Sequence, residues 1–194
     1  GYIKRLPVSA YRKQKRGGRG ATGAEVKEED FIEHLFVAST KDYLLIFTDK
    51  GQVHWLKVYD IPVGSRQSKG KAIINLIGLE QDEKISAFVP VRQFDDQHYI
   101  MICTKSGTIK KTSLEEFSHP RKGGIRAITI NEGDDLIDVV LTDGTMNIII
   151  ATSEGMAVRF QESDVRSMGR TAAGVRGITL KGTDKVVGMV IADD

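Results

Sequence analysis

The sequence predicts an all-β protein, a propeller-like disc assembled from repeated four-stranded units, and three observations support this prediction. Short apolar runs rich in β-branched residues end in a Thr-x-x-Gly turn three times along the chain. The repeat glycines Gly1, Gly51, Gly107 and Gly155 follow one another at intervals of 50, 56 and 48 residues. Propeller-like blades repeat with a period of about 40 to 50 residues. A basic residue also recurs at a nearly constant offset behind each glycine.

Three hairpins define the repeat. Each consists of an apolar run, a Thr-x-x-Gly turn and a second run, at residues 43–53, 99–109 and 147–157, and the three align without gaps. Short runs of β-branched residues that end in a turn favour a β-hairpin over a helix. Residues 1–4 match the second half of such a hairpin and predict a fourth copy.

Two further strands complete each unit. An apolar segment follows each recurrent basic position, at 72–76, 127–130 and 177–180. An acidic loop then precedes another apolar segment, at 84–89, 135–140 and 185–190. We therefore expect a single domain over residues 1–194, with approximate repeats at 1–39, 40–93, 94–141 and 142–194. Because the final strand ends where another hairpin should begin, we expect the chain to be a fragment containing about four blades.

Composition is compatible with one sizeable domain. The chain has 194 residues, 40% of them apolar, which is enough to bury one substantial core. Its 28 basic residues nearly offset 26 acidic ones, so a formal charge of +2 does not by itself predict a nucleic-acid partner. The acidic residues cluster at 25–30, 80–83 and 132–138, apart from the basic clusters. The folded chain can therefore present a positive rim with negative surface elsewhere.

Cysteine usage and hydropathy point to the cytoplasm. The single cysteine, Cys103, lies in an apolar run, and we interpret it as a small core residue. The absence of any disulfide within the chain fits a reducing compartment. No signal peptide is evident, and no apolar stretch approaches the roughly 18 residues of a membrane span. We expect a cytoplasmic protein without a membrane partner.

The densest basic segment, which we call the basic box, reads Gln-Lys-Arg-Gly-Gly-Arg-Gly over residues 14–20. All seven charged residues of the first 24 are positive. Glycines allow the backbone to approach a ligand closely while Lys15, Arg16 and Arg19 project beside it. This combination suits a polyanion.

Single cations recur behind the repeat glycines in all four repeats. Arg19, Lys71, Arg126 and Arg176 follow these glycines by 18, 20, 19 and 21 residues. If successive blades are related by rotation, residues at equivalent offsets lie on one rim. We expect these cations and their basic neighbours to form a single binding stripe.

Few aromatic residues accompany these cations, which favours contact with a phosphate backbone over base stacking and so predicts duplex DNA as the partner. The predicted DNA-binding residues are Gln14, Lys15, Arg16, Gly17, Gly18, Arg19, Gly20, Arg66, Lys69, Lys71, Lys110, Lys111, Arg121, Lys122, Arg126, Arg159, Arg170 and Arg176.

Other site chemistries find little support. Residues 18–23 fit a Gly-x-Gly-x-x-Gly pattern, but the preceding residues are basic and polar rather than a buried strand. Residues 64–72 approach a phosphate-binding loop but have one residue too many between their glycines. The four histidines lack metal-ligand spacing, and no carboxylates are tied together as an acid and base. We predict no catalytic site, metal or cofactor in this chain.

Several of these features resemble the C-terminal domain of the DNA gyrase A subunit. The basic box, the Thr-x-x-Gly hairpins and the segment Gly-Lys-Ala-Ile-Ile-Asn-Leu-Ile-Gly-Leu at 70–79 are similar to that family, and the similarity covers essentially the whole chain. The resemblance implies a β-pinwheel, a propeller-shaped disc whose blades exchange strands with their neighbours. Such discs usually have six blades, of which this chain would supply about four.

The resemblance also implies a function. Duplex DNA would wrap around the positive rim, and the wrapped segment would be delivered to the cleavage gate to set the direction of strand passage for negative supercoiling. The basic box would fix the chirality of the wrap. The implied partners are the A-subunit N-terminal cleavage domain and the gyrase B subunit in an A2B2 enzyme associated with the nucleoid, while the isolated domain is expected to be monomeric. Catalysis would reside in those other domains.

Two alternatives remain. The C-terminal domain of the topoisomerase IV A subunit has related blades but typically a degenerate or absent box, so the complete heptad favours gyrase. A propeller-type protein-interaction platform would be expected to show Gly-His and Trp-Asp repeat signatures, and neither is present.

Overall fold

The computed structural model describes residues 1–10 and 31–192. Their strands are β1 Tyr2–Ile3, β2 Tyr43–Thr48, β3 Gln52–Lys57, β4 Lys71–Ala72, β5 Ile85–Val91, β6 Tyr99–Thr104, β7 Thr108–Ser113, β8 Ile125–Arg126, β9 Leu136–Thr142, β10 Asn147–Thr152, β11 Ala157–Gln161, β12 Val175–Arg176 and β13 Val186–Ala192. Short 3-10 turns occupy Val8–Ala10, Val58–Asp60, Ile73–Asn75, Leu114–Phe117 and Glu162–Asp164. The described ranges hold no helix long and apolar enough to cross a membrane.

The three predicted hairpins are confirmed as β2–β3, β6–β7 and β10–β11. In the first, the amide of Gly51 donates to the Thr48 carbonyl at 3.0 Å, and the Thr48 hydroxyl oxygen accepts from the Gln52 amide at 3.3 Å. The other two turns repeat both bonds. Threonine therefore recurs because its side chain and carbonyl both satisfy turn amides, and the turn glycine adopts a positive φ that other residues resist.

The sheets confirm an all-β pinwheel whose blades exchange strands. Two sheets have four strands, in the orders β5-β2-β3-β8 and β9-β6-β7-β12, a third has the order β13-β10-β11, and a fourth pairs β1 with β4. The outermost strand of a blade comes from the following repeat, since β4 pairs with β1, β8 with β3 and β12 with β7. The strands predicted after the acidic loops are confirmed as β5, β9 and β13.

The strands predicted at 72–76, 127–130 and 177–180 are wrong. The exchanged strands β4, β8 and β12 are only two residues long and begin one or two residues earlier. The Gly51 carbonyl accepts hydrogen bonds from the amides of both Ala127 and Ile128, and the Gly107 carbonyl does the same for Gly177 and Ile178. The ladder ends there because one carbonyl takes two successive amides, so the chain turns instead of continuing as a strand.

Each exchanged strand is preceded by a glycine that packs against the neighbouring blade. Gly70, Gly124 and Gly174 all have positive φ. A Cβ at Gly174 would lie 2.5 Å from the Ile109 carbonyl oxygen, and one at Gly70 would lie 2.5 Å from the Ile3 carbonyl oxygen. The recurrent glycine before each basic position is therefore required for strand exchange.

Gly124→Ala is expected to lower the free energy of unfolding by about 1–3 kcal/mol, because it places a side chain at positive φ and a Cβ 2.7 Å from the His54 ring. Gly123→Ala is the matched control, since a Cβ there meets nothing within 4 Å. Urea denaturation of both variants measures the difference. Equal stability of the two variants would contradict the packing role of Gly124.

The hydrophobic cores lie between blades that stack face to face. Because side chains alternate across a strand, Leu45 and Phe47 of β2 enter one core while Leu44 and Ile46 enter another. Strand β6 divides its side chains in the same way, and its Cys103 is fully buried. Burial raises the pKa of Cys103 to about 12, so the thiol stays uncharged and its predicted role as a core residue is confirmed.

Candidate nucleic-acid interface

The recurrent cations of three repeats lie on the strands that form the outer edge of the sheets. Lys71, Arg126 and Arg176 lie in β4, β8 and β12, the exchanged strands that form sheet edges. Each side chain is exposed. Arg126 and Arg176 share one register position, opposite Gln52 and Thr108, the first residues of their hairpin strands. Lys71 lies opposite Ile3, one register position away. Strand exchange thus puts one exposed cation on each of these edge strands.

Basic loops precede these strands. Lys69, Arg121 and Lys122 are exposed in the loops that lead into β4 and β8. The Lys69 ammonium lies 4.1 Å from the centroid of the Tyr2 ring, an arrangement that holds the cation at the surface by a cation–π contact.

The remaining predicted arginines differ in their surroundings. The guanidinium of Arg66 is partly buried and donates to the Ala10 carbonyl, while Arg170 donates to the Arg126 carbonyl at 3.0 Å. Arg170 therefore braces the exchanged strand β8 from the next repeat. Arg159 lies on β11, opposite Ile149.

Lys110 and Lys111 are buried, and the prediction that they contact DNA is wrong. Lys110 is 0% exposed, its ammonium donates to the carbonyls of Ala127 and Arg170, and burial lowers its pKa to about 7. Lys111 lies 3.2 Å from a Glu162 carboxylate oxygen. Both faces of β7 are covered by neighbouring blades, so neither ammonium can reach a phosphate.

Lysines three residues after a repeat glycine support the basic loops from below. The Lys4 ammonium donates to the carbonyl oxygens of Ser65 and Arg66, each at 2.9 Å, and to that of Ser68. Lys110 occupies the same repeat position and bonds the carbonyl of Arg170 in the following repeat. We call these two the loop-support lysines. Sequence reasoning counted both as cations but missed the signal, which is their shared offset from the glycine.

Three aspartates bond to backbone amides in or beside the hairpin turns. Asp49 accepts from the Lys84 amide at 2.9 Å, Asp134 from the Ser106 amide at 2.9 Å, and Asp184 from the Glu154 amide at 3.0 Å. These residues belong to the turns beside β5, β9 and β13, which lie at the opposite edge of the sheets from the exchanged strands. These three carboxylates are thereby kept away from the exchanged strands. Within the described residues, no cluster of His, Cys, Asp or Glu could hold a metal ion.

The basic box, Gln14 to Gly20, lies outside the described residues, and its role stays a prediction.

The family model described as "DNA gyrase C-terminal domain, beta-propeller" matches residues 1–39, 42–92, 98–143 and 147–193. The chain belongs to this family. The four matched segments cover nearly all of it.

Curated relatives of the chain are gyrase A subunits. It is 49% identical over 191 residues to the DNA gyrase A subunit of Salmonella typhimurium, a match that covers 98% of the chain and 22% of that protein. It is 52% identical over 179 residues to the DNA gyrase A subunit of Halalkalibacterium halodurans, covering 92% of the chain and 22% of that protein. The chain thus spans less than a quarter of the length of these relatives.

Solved structures of related domains share the fold. A C-terminal domain of DNA topoisomerase IV superposes with a TM-score of 0.82 and 32% identity, covering 100% of the chain and 59% of that domain. A DNA gyrase A C-terminal domain superposes with a TM-score of 0.76 and 27% identity, covering 98% of the chain and 61% of that domain. Both matches agree with the blade architecture described above.

Proposed function

We propose that this chain binds duplex DNA and wraps it around its outer edge, as the DNA-wrapping domain of a gyrase A subunit. The observation that supports this most directly is the exposed cation on each exchanged strand, Lys71, Arg126 and Arg176. Strand exchange gives these cations a spacing of one per blade. A curved duplex presents phosphates at regular intervals, so one cation on the edge strand of each successive blade can follow its backbone.

Wrapping requires contacts distributed along a curve. Bending a site of 20–30 base pairs through 40–90° costs on the order of 1–6 kcal/mol, which a single basic loop would not offset. Cations on successive blades can compensate the bending continuously, as in other wrapping proteins that make few base-specific contacts. We therefore expect the chain to show little preference for particular DNA sequences.

In the whole enzyme, we propose that the wrapped segment is delivered to the cleavage domain of the A subunit, with the B subunit completing an A2B2 assembly. Wrapping with a fixed hand would then set the direction of strand passage for negative supercoiling. The site would lie in the cytoplasm, at the nucleoid, and would use neither a metal nor a cofactor. The curated relatives are named as gyrase A subunits, which supports this assignment.

A C-terminal domain of topoisomerase IV is the second candidate, because its fold superposes closely on this chain. The complete heptad at residues 14–20 favours gyrase over this alternative. The two functions differ in outcome, since only gyrase-type wrapping is expected to drive net negative supercoiling.

Ligation of a nicked circular plasmid in the presence of increasing amounts of the full chain tests the proposal. We expect the linking number of the closed product to shift progressively with protein concentration, because each wrapped segment fixes a writhe that ligation traps. Two-dimensional gel electrophoresis of the topoisomers reports both the shift and its sign.

Salt provides the control for this experiment. Phosphate contacts release counterions, so log K should fall linearly with log salt, with a slope of about −0.9 for each phosphate contacted. The linking-number shift should disappear over the same salt range. Binding with an unchanged linking number would leave a DNA-binding domain but exclude wrapping, and a flat salt dependence would exclude phosphate contact altogether.

A further inference from the structure

The loop-support position, three residues after the repeat glycine, is occupied differently in the second repeat. Lys4 and Lys110 hold it in the first and third repeats, and each donates to backbone carbonyls of the next basic loop. In the second repeat the corresponding residue is His54. The loop above it spans residues 119–123 and carries Arg121 and Lys122, two of the exposed cations at the proposed DNA interface.

His54 is buried without a hydrogen-bond partner among the described residues. Its side chain is 3% exposed, and neither ring nitrogen is bonded. The ring packs against Gly124, where an ideal Cβ would lie 2.8 Å from Nδ1. An imidazole is shorter than a lysine side chain, and a cavity of about 190 Å³ lies between His54, Trp55 and loop residues 120–122. A buried polar group left unpaired is costly, so the position calls for an explanation.

The carbonyls that a loop-support residue would meet here follow from the repeat. Lys4 bonds the carbonyls located five, four and two residues before Gly70. Counted back from Gly124, the same places are His119, Pro120 and Lys122. The cavity wall includes Pro120 and Lys122. Acceptors for a protonated ring are thus present at the equivalent places.

Burial and the nearby carboxylates shift the pKa of His54 in opposite directions. Burial lowers its pKa, while the nearby carboxylates of Glu83 and Glu80 act to raise it, and burial prevails. Arg121 and Lys122 line the same cavity. The ring is therefore neutral near pH 7 in the absence of DNA, and the loop lacks the cationic support found in the first and third repeats.

We propose that His54 is a positioning residue for loop 119–123, which takes up a proton when DNA binds and then donates to the loop carbonyls as the loop-support lysines do. The inference rests on the proposed function, because DNA supplies the driving force. Phosphates that contact Arg121 and Lys122 bring negative charge close to the ring, and a nearby opposite charge favours the protonated form. Direct contact between His54 and a phosphate is excluded by its burial.

Thermodynamic linkage between proton uptake and DNA binding determines whether affinity rises or falls with pH. Proton uptake on binding means that affinity rises as pH falls, in the window between the pKa of His54 in the complex and its lower pKa in the free chain. One proton can change the affinity by at most tenfold for each pH unit. The pKa of His54 in the free chain lies below 6.5, so a pKa raised in the complex would be detected by measurements that extend downward from pH 7.5.

The test measures affinity of the full chain for a duplex of about 150 base pairs at fixed salt between pH 7.5 and 5.5, with NMR titration of the histidine ring protons in the free chain and the complex. The wild-type affinity should rise by about tenfold, and the pKa of His54 should be higher in the complex. His54→Gln should bind weakly at all pH values. His54→Lys should bind more tightly than His54→Gln because it restores the loop-support lysine, and its pH dependence should be that of an amine, since burial lowers the pKa of the equivalent Lys110 to about 7.

His119→Gln is the matched control, since His119 is exposed in the same loop and its loss should leave the pH dependence intact. The proposal is overturned if His54→Gln keeps the wild-type slope, or if the pKa of His54 is the same with and without DNA. Should His54→Gln fail to fold, the NMR titration of the wild-type chain still decides. A wild-type chain that binds no DNA at low salt would instead reject the proposed function itself.

Discussion

Replacing Lys71, Arg126 and Arg176 together by alanine is expected to weaken DNA binding by a few hundredfold at 0.1 M salt. Each phosphate contact changes log K by about 0.9 for every tenfold change in salt concentration. At 0.1 M salt, which is tenfold below 1 M, three contacts therefore contribute roughly 2.7 log units of affinity. The slope of log K against log salt should become less negative by about 2.7. Fluorescence anisotropy with a labelled duplex over a range of salt concentrations measures both quantities.

The fold should tolerate these three changes. The side chains are exposed at the sheet edge, and the bonds that hold the exchanged strands involve their backbones. The carbonyl of Arg126 that accepts from Arg170 remains in the variant. Exposed substitutions of this kind usually change stability by less than about 0.5 kcal/mol, so lost affinity cannot be ascribed to unfolding. Urea denaturation checks this point.

A triple change at Lys84, Lys181 and Lys185 removes the same charge from a different surface. These lysines are exposed in the loops that lead into β5 and β13, at the opposite sheet edge from the exchanged strands. We expect a small loss of affinity and an almost unchanged salt slope. If both triple variants lost affinity equally, net charge would account for binding, and the outer edge would have no special role.

Local pattern was enough to predict the hairpins and the innermost strands. The Thr-x-x-Gly turn specifies its own hydrogen bonds, since the Thr48 hydroxyl and carbonyl both accept from amides of the same turn. The β-branched runs were likewise long enough, at six or seven residues, for their period to show. These features depend on residues close in sequence.

Features that depend on blade packing could not be predicted in the same way. Nothing in the sequence next to Lys110 indicates that both faces of β7 are covered, because the covering residues lie in neighbouring repeats. The exchanged strand β8 is only two residues long and ends where the Gly51 carbonyl accepts two amides. Comparison of repeats would have helped, since Lys4, His54 and Lys110 share one offset from the repeat glycine.

The prediction with the largest expected effect on stability concerns Glu162. This residue is 0% exposed and begins the 3-10 turn after β11. Its carboxylate accepts from the Thr142 hydroxyl at 2.5 Å, the Gly144 amide at 3.0 Å and the Met146 amide at 3.2 Å, and it pairs with Lys111 at 3.2 Å. One side chain therefore satisfies the turn before β10 and a buried ammonium of the adjacent blade.

Glu162→Ala is expected to lower the free energy of unfolding by about 3–5 kcal/mol, because removing one partner of a buried ion pair leaves the other charge uncompensated. The hydroxyl and two amides that lose their acceptor add to the cost. Native stability of a domain is only about 5–15 kcal/mol, so the variant should unfold at much lower urea. Chemical denaturation followed by tryptophan fluorescence of Trp55 measures the change.

Glu162→Gln and Asp164→Ala separate the contributions. Glutamine keeps an acceptor for the turn amides but leaves the Lys111 ammonium without a countercharge, so its loss of stability should fall between those of the other two variants. Asp164 is exposed in the same 3-10 turn, and its replacement should cost less than about 0.5 kcal/mol. A Glu162→Ala variant as stable as Asp164→Ala would show that Lys111 finds other partners, and the assignment of its burial to this ion pair would then fail.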